Sequence, residues 1–174
     1  MRLLIAALAL VPATAFAAGT SSTPPKQTET TVTCPNGSVW DAERNACVLS
    51  QSGLLDDGQL FDAARELAYF GRPAEALDLL ARVRAQDADV LTLRGFATRK
   101  VGDWEGGVAL YRAALALDPD HWQALSYYGQ GLVERGDLVG AEEKLELIRS
   151  TGGRGTWAET ALAEAVETRT THAY

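Results

Sequence analysis

The sequence predicts an all-α fold of three consecutive helical hairpins closed by one further helix. Three observations carry this. The turn pair Gly102-Asp103 returns as Gly136-Asp137, 34 residues later. A small residue, Gly95 or Gly129, stands seven positions before each of these turns. From Gly53 almost to the end the chain is rich in Ala and Leu, the residues that lose least on entering a helix.

The chain has 174 residues, 16 basic against 23 acidic, for a formal charge of −7. That length suits one domain with a small appendage. An acidic balance argues against non-specific nucleic-acid binding, which needs a basic face against the phosphates.

The first residues read as an export signal. Arg2 supplies a positive start, Leu3 to Val11 an apolar run, Pro12 its break, and Ala15-Phe16-Ala17 a small-x-small cleavage site. The run is far shorter than the roughly 20 apolar residues of a spanning helix, and no later segment is long enough. Residues 1–17 are therefore expected to be removed, leaving no transmembrane segment. No cysteine stands directly after the site, so lipid attachment is not expected. The expected location is periplasmic or secreted. Residues 18–32, dominated by Ser, Thr, Pro, Gly and Gln, bury too little surface to offset ordering and are expected to be a disordered linker.

Cys34 and Cys47 are the only cysteines, and in an oxidising compartment thiols this close should pair. Asn36-Gly37 signals a turn, Val39 and Trp40 favour strand, and 41–45 look like a second turn. Residues 33–50 are expected to form a disulfide-closed knuckle. Cys34-Pro35-Asn36-Gly37, then Trp40 and Cys47, is similar to the closing segment of peritrophin-type chitin-binding domains, over about 15 residues and without that domain's other cysteines. Trp40 has two readings: it packs over its own disulfide, or it stacks on a sugar.

The hairpins are expected at 59–70 with 73–85, 88–101 with 104–117, and 122–135 with 138–149, within a domain spanning 55–168. Gly102 and Gly136 suit the left-handed end of a helix, and Asp103 and Asp137 the cap of the next. Gly107 and Ala141, Tyr111 and Leu145, and Ala114 and Ile148 match at the same offset. A worn first copy carries Ala64, Gly71, Pro73, Ala76, Leu80 and Val83, with its turn only 31 residues before the next. Pro73 suits a first helical position, and Pro119 stops the helix before it. Gly95, Gly129 and Ala64 are expected to let the two helices of each hairpin approach, with Gly107, Ala141 and Ala76 facing them. Thr156 to Glu159 reads as a capping box starting a closing helix over 156–168, which would cover an exposed apolar end. The tail from Thr170 to Tyr174 is expected to fray.

Period, small positions, turns and the final Asp118-Pro119 resemble the tetratricopeptide repeat family, of an exported bacterial type, over roughly residues 59–168. The resemblance implies a right-handed superhelical solenoid with repeats at about 57–86, 88–121 and 122–151. It also implies a protein-interaction adaptor without catalysis, binding a protein or peptide in a concave groove lined by the first helix of each hairpin. The matching groove positions are Phe61, Arg65 and Tyr69; Thr92, Phe96, Arg99 and Lys100; and Ser126, Gln130 and Glu134. Phe96, Arg99 and Lys100, with Arg65 nearby, would make an aromatic and basic patch for an acidic peptide or chain terminus. The alternative is an ordinary solvated helix face, with Phe96 packed against its neighbour. Thr92 and Leu93 stand where one subclass places a carboxylate clamp, so that clamp is not expected.

No nucleophile–His–acid set, phosphate-cradling glycine motif or cofactor motif is legible. Two cysteines and the distant His121 and His172 make a poor metal site. His121 reads as an exposed loop residue, and Glu142 and Glu143 as helix surface. A glycan- or cell-wall-binding protein using the cysteine knuckle and Trp40 is the alternative function.

Overall fold

The computed structural model describes residues 26–171; the expected signal peptide and residues 18–25 of the expected linker lie outside this range. Among the described residues the chain runs through a short helix α1 (Glu29–Val32) and a hairpin of β1 (Ser38–Asp41) and β2 (Ala46–Leu49). Seven helices follow: α2 (Asp57–Tyr69), α3 (Pro73–Leu80), α4 (Ala88–Lys100), α5 (Trp104–Leu117), α6 (Trp122–Glu134), α7 (Leu138–Ser150) and α8 (Trp157–Thr168). No helix among them is long and apolar enough to cross a membrane.

The helices pack as α2 with α3, α4 with α5, and α6 with α7. Each first helix also touches the next one in the row α2, α4, α6, α8, while α3, α5 and α7 each lean on the first helix that follows. The punctuation is local. Gly71, Gly102 and Gly136 take positive φ after α2, α4 and α6. The Asp103 and Asp137 carboxylates accept the Gly106 and Gly140 amides at 2.9 Å, capping α5 and α7. Pro73 opens α3, where its missing N–H costs nothing. Asp56 and Gln59 form a full capping box on α2.

Small residues set the spacing within the middle hairpin. A Cβ on Gly95 would lie 2.8 Å from the Tyr111 ring and 3.1 Å from the Gly107 carbonyl. The third hairpin departs from this expectation. Gly129 faces α8 instead, where a Cβ would meet Leu162 at 2.6 Å. The closing helix thus inserts an apolar side chain where the matching glycine of the second hairpin receives its own partner helix. One core cluster joins α2, α3 and α4 with Tyr111 and Tyr127; another joins α6, α7 and α8, and Tyr128 packs against both.

Three further differences have local causes. The helix expected to reach residue 85 ends at Leu80. The Asp57 carboxylate accepts the Arg84 and Ala85 backbone amides and draws that segment back to the start of α2. The box expected at the last helix is half made: Thr156 Oγ1 accepts the Glu159 amide, but the Glu159 carboxylate takes the Gly155 amide and Arg149. Finally, the expected disordered linker is corrected from residue 26 onward, because Glu29–Val32 form a turn of helix docked on α2. Its capping residue Thr28 gives both its amide and its hydroxyl to Glu66, and Thr31 does the same. A buried carboxylate offers α1 the acceptors that water would otherwise supply.

Candidate functional site

The knuckle is a disulfide-closed antiparallel hairpin, Cys34 bonded to Cys47 with Cα atoms 5.5 Å apart. Its turn is built by Asp41, whose carboxylate accepts the Glu43 and Arg44 amides and pairs with the Arg44 guanidinium. Strand alternation separates two neighbours. Val39 is buried in the core cluster of α2, whereas Trp40 stays half-buried, opposite Cys47 in the register. Arg72, just before α3, anchors the knuckle from below. Its guanidinium donates to Asn36 Oδ1 at 3.0 Å while holding Glu75 at 2.7 Å. The knuckle is therefore fixed to the first helical hairpin rather than tethered to it.

Most of the expected groove positions are brought together, but inward. Tyr69, Thr92, Phe96, Ser126 and Gln130 are buried, and Arg99 is only 6% exposed. The rings of Tyr69, Phe96 and Tyr127 pack together, tilted or edge-on, between α2, α4 and α6, with Phe96 and Tyr127 centroids 4.6 Å apart. The two tyrosine hydroxyls hydrogen-bond each other. Gln130 donates to Ser126 along α6 at 3.1 Å. Of the two expectations for Phe96, Arg99 and Lys100, the open basic patch does not hold; in the other, Phe96 packs against its neighbours as expected, but Arg99 is buried rather than solvated. Glu134 fills the place an acidic ligand would take, pairing with the Arg99 guanidinium and with Lys100 Nζ at 3.1 Å. Arg99 and Lys100 also lie over the Phe96 ring, at 5.4 and 5.7 Å from its centroid.

The electrostatics follow from this enclosure. Burial pushes the Glu134 carboxyl up, but the hydrogen bond and charge of Arg99, with Thr171 and Lys100, outweigh it and hold the group at about 2. Burial lifts the Tyr111 hydroxyl to about 12 despite Arg99 nearby, so it stays protonated. Thr171 Oγ1 donates to Glu134 at 2.7 Å, so the tail expected to fray from Thr170 is held as far as Thr171. The remainder of that tail, with His172, lies outside the described residues. His121 is not the exposed loop residue expected. It caps α6 by accepting the Ala124 amide on Nδ1, and its Nε2 meets Asp89 at 3.0 Å across the hairpin junction. Glu142 and Glu143 are exposed, as expected. No cluster of metal-ligating side chains occurs among the described residues.

Among the expected groove residues, Arg65 faces an open cavity. It lines a cleft of about 570 Å³ between α2 and the knuckle, with Trp40, Gln59 and Asp62 among the other walls. The sequence reading missed this cleft, because its floor needs α1 and the Glu66 contacts. The pattern Thr28-Glu29-Thr30-Thr31, a capping residue followed by an acidic first turn, is the signal that could have found them. No family model, curated protein or solved structure matches the chain.

Proposed function

We propose that the chain is an exported, non-catalytic binding scaffold of the tetratricopeptide type, a right-handed array that holds a protein or peptide partner. The observation that carries this reading is the side-by-side row of α2, α4, α6 and α8, in which α4, α6 and α8 each pack on the second helix of the hairpin before them. The 34-residue recurrence of Gly102-Asp103 at Gly136-Asp137 supports the family likeness. The Cys34–Cys47 bond is compatible with an oxidising compartment such as the periplasm.

Burial of the inner positions redraws the surface such a partner meets. Arg65, Lys100 and Glu134 are left as its reachable polar groups from the expected set. Site-specific photocrosslinking tests this in bacterial cells expressing the chain with its leader. A photoreactive residue at Arg65 or Lys100 is expected to give a discrete adduct in the exported fraction, and one at Leu117 on α5 is not. Retention in the cytoplasm with both thiols free, or no adduct at the inner positions, contradicts the reading.

A second reading is favoured by one specific observation. Trp40 lines the cleft beside the knuckle rather than being wholly spent on its disulfide. Under this reading the protein associates with glycan or cell wall through that ring. Retention on insoluble chitin or peptidoglycan that is lost in Trp40→Ala supports it, and equal retention of the variant rules it out.

A further inference from the structure

The cleft between the knuckle and α2 gathers an indole and charged side chains of both signs. Its volume, about 570 Å³, lies in the range of about 300–1,000 Å³ typical of small-ligand sites. One wall is the half-buried indole of Trp40. Around it stand Lys26, Glu29, Gln59, Asp62 and Arg65.

Two features decide what such a cleft would hold. The first is that its charges are unspent. Arg72, Arg84, Arg99 and Arg149 all hold carboxylates, whereas Lys26, Glu29, Asp62 and Arg65 form no ion pair among the described residues. Glu66, at the base of the same cleft, is committed to Thr28 and Thr31 and is unavailable to a ligand. The second feature is mixture. Lys26 and Arg65 share the lining with the carboxylates of Glu29, Asp62 and Glu66 and with the amide of Gln59, so donors and acceptors alternate in kind and a lone anion is not matched as a whole. A hydroxyl group both donates and accepts, and a ring of hydroxyls needs carboxylates and N–H donors in mixture. The C–H face of a pyranose is apolar and carries slight positive charge, which suits the electron-rich face of an indole. A peptide side chain would satisfy the ring or the charges, but not the alternation of both around one ring.

The frame is also fixed before any ligand arrives. The Trp40 amide donates to Thr30 Oγ1 at 3.2 Å, tying the strand that carries the indole to α1. Asp62 and Arg65 are three residues apart on one face of α2, whose start is held by its capping box. Preorganised walls lower the ordering cost that a weak ligand must overcome.

From this geometry we infer that the cleft between β1 and α2 binds a neutral oligosaccharide, one pyranose ring stacking on Trp40 while Asp62, Arg65 and the Nε2 group of Gln59 bind its hydroxyls. The inference rests on the glycan reading above and names the site and ligand class within it. It shares Arg65 with the protein-binding reading but does not depend on that reading.

The test has two arms on the mature chain. In the first, maltotriose, cellotriose and the trimer of N-acetylglucosamine are titrated against the protein and followed by ligand-observed and amide NMR. Saturable binding of at least one of them is expected, with shifts confined to β1, α1 and the start of α2. Trp40→Ala, Asp62→Asn and Arg65→Met should each weaken it by about tenfold or more, while their amide spectra remain those of the folded chain. In the second arm the same variants are sedimented with insoluble chitin and peptidoglycan. No saturable binding of any trisaccharide, or binding indifferent to Asp62→Asn and Arg65→Met, overturns the inference. Retention on insoluble glycan lost only in Trp40→Ala also overturns the cleft, yet keeps the broader reading of a Trp40-dependent glycan association.

Discussion

Two regions of this molecule combine aromatic and charged side chains, and they use them in opposite ways. Between α4 and α6, Phe96, Arg99, Lys100 and Glu134 pair with one another and close the surface, although Arg99 Nη2 stays buried without a hydrogen-bond partner. Between the knuckle and α2, Trp40, Asp62 and Arg65 line an open cleft and satisfy nothing. The difference lies in the neighbours rather than in the residue types. Arg99 has a carboxylate within reach on the next first helix; Arg65 has none in an ion pair. A charge already paired contributes to the fold, and a charge left over is available to a ligand.

The sharpest way to break the comparison is to remove the acid from the closed region. Glu134→Ala leaves the 6%-exposed Arg99 uncompensated. Glu134 itself is about a third exposed, so a loss near the lower end of the range for broken buried pairs, about 3 kcal/mol, is expected in urea unfolding at pH 7. Arg65→Ala should stay within about 0.5 kcal/mol of wild type, as for a surface change. The Glu134 contribution also has a pH signature. Its folded carboxyl sits at about 2 against an ordinary 4.5. The stability it supplies is therefore complete above 4.5 and is lost as pH falls toward 2. The stability gap between wild type and Glu134→Gln should narrow across that window and stay constant from pH 5 to 7.

The next largest effect concerns the open region. Replacing both Cys34 and Cys47 by Ser frees a loop of 13 residues' separation. The chain-entropy account puts the cost at about 2–3 kcal/mol for a loop of this size. The loss should fall on the knuckle and α1, seen as faster amide exchange there with α4 to α8 unchanged. Uniformly faster exchange would show that the knuckle braces the whole array instead. A smaller effect is expected from Gly95→Ala. Its new Cβ would press on the Tyr111 ring and on the Gly107 carbonyl, and the carbonyl cannot yield. Overpacking of this kind costs about 1–3 kcal/mol, measurable by thermal denaturation. An unchanged midpoint would mean that α4 and α5 are less tightly apposed than described.

What was legible in the sequence divides along the same line. Hairpins, caps and turns were legible because each is written locally: Gly102 and Asp103 end one helix and start the next without distant help. The Cys34–Cys47 bond was legible because no other partner existed. The orientation of the inner face was not. Helical spacing places Phe96 and Arg99 on α4, but only the approach of α6, with Tyr127 and Glu134, decides that they face inward. Gly129 was misassigned for the same reason, since the closing helix reaches it with Leu162. The helical turn at Glu29–Val32 was hidden by polar composition. Four residues with little apolar surface fold only because Glu66, on another element, accepts the amides and hydroxyls of Thr31 and of the capping Thr28.

The central claim, that the charges of the helical row are spent inside while those of the cleft remain open, can be tested on two arginines of one chain. Phenylglyoxal labelling of the native protein, followed by peptide mass spectrometry, compares the rates at Arg65 and Arg99. The account predicts modification of Arg65 at a rate near that of exposed Arg82, and protection of Arg99 until the chain is unfolded. Equal rates at Arg65 and Arg99 in the folded protein would contradict it, and would return the inner face of α4 to the status of an open groove.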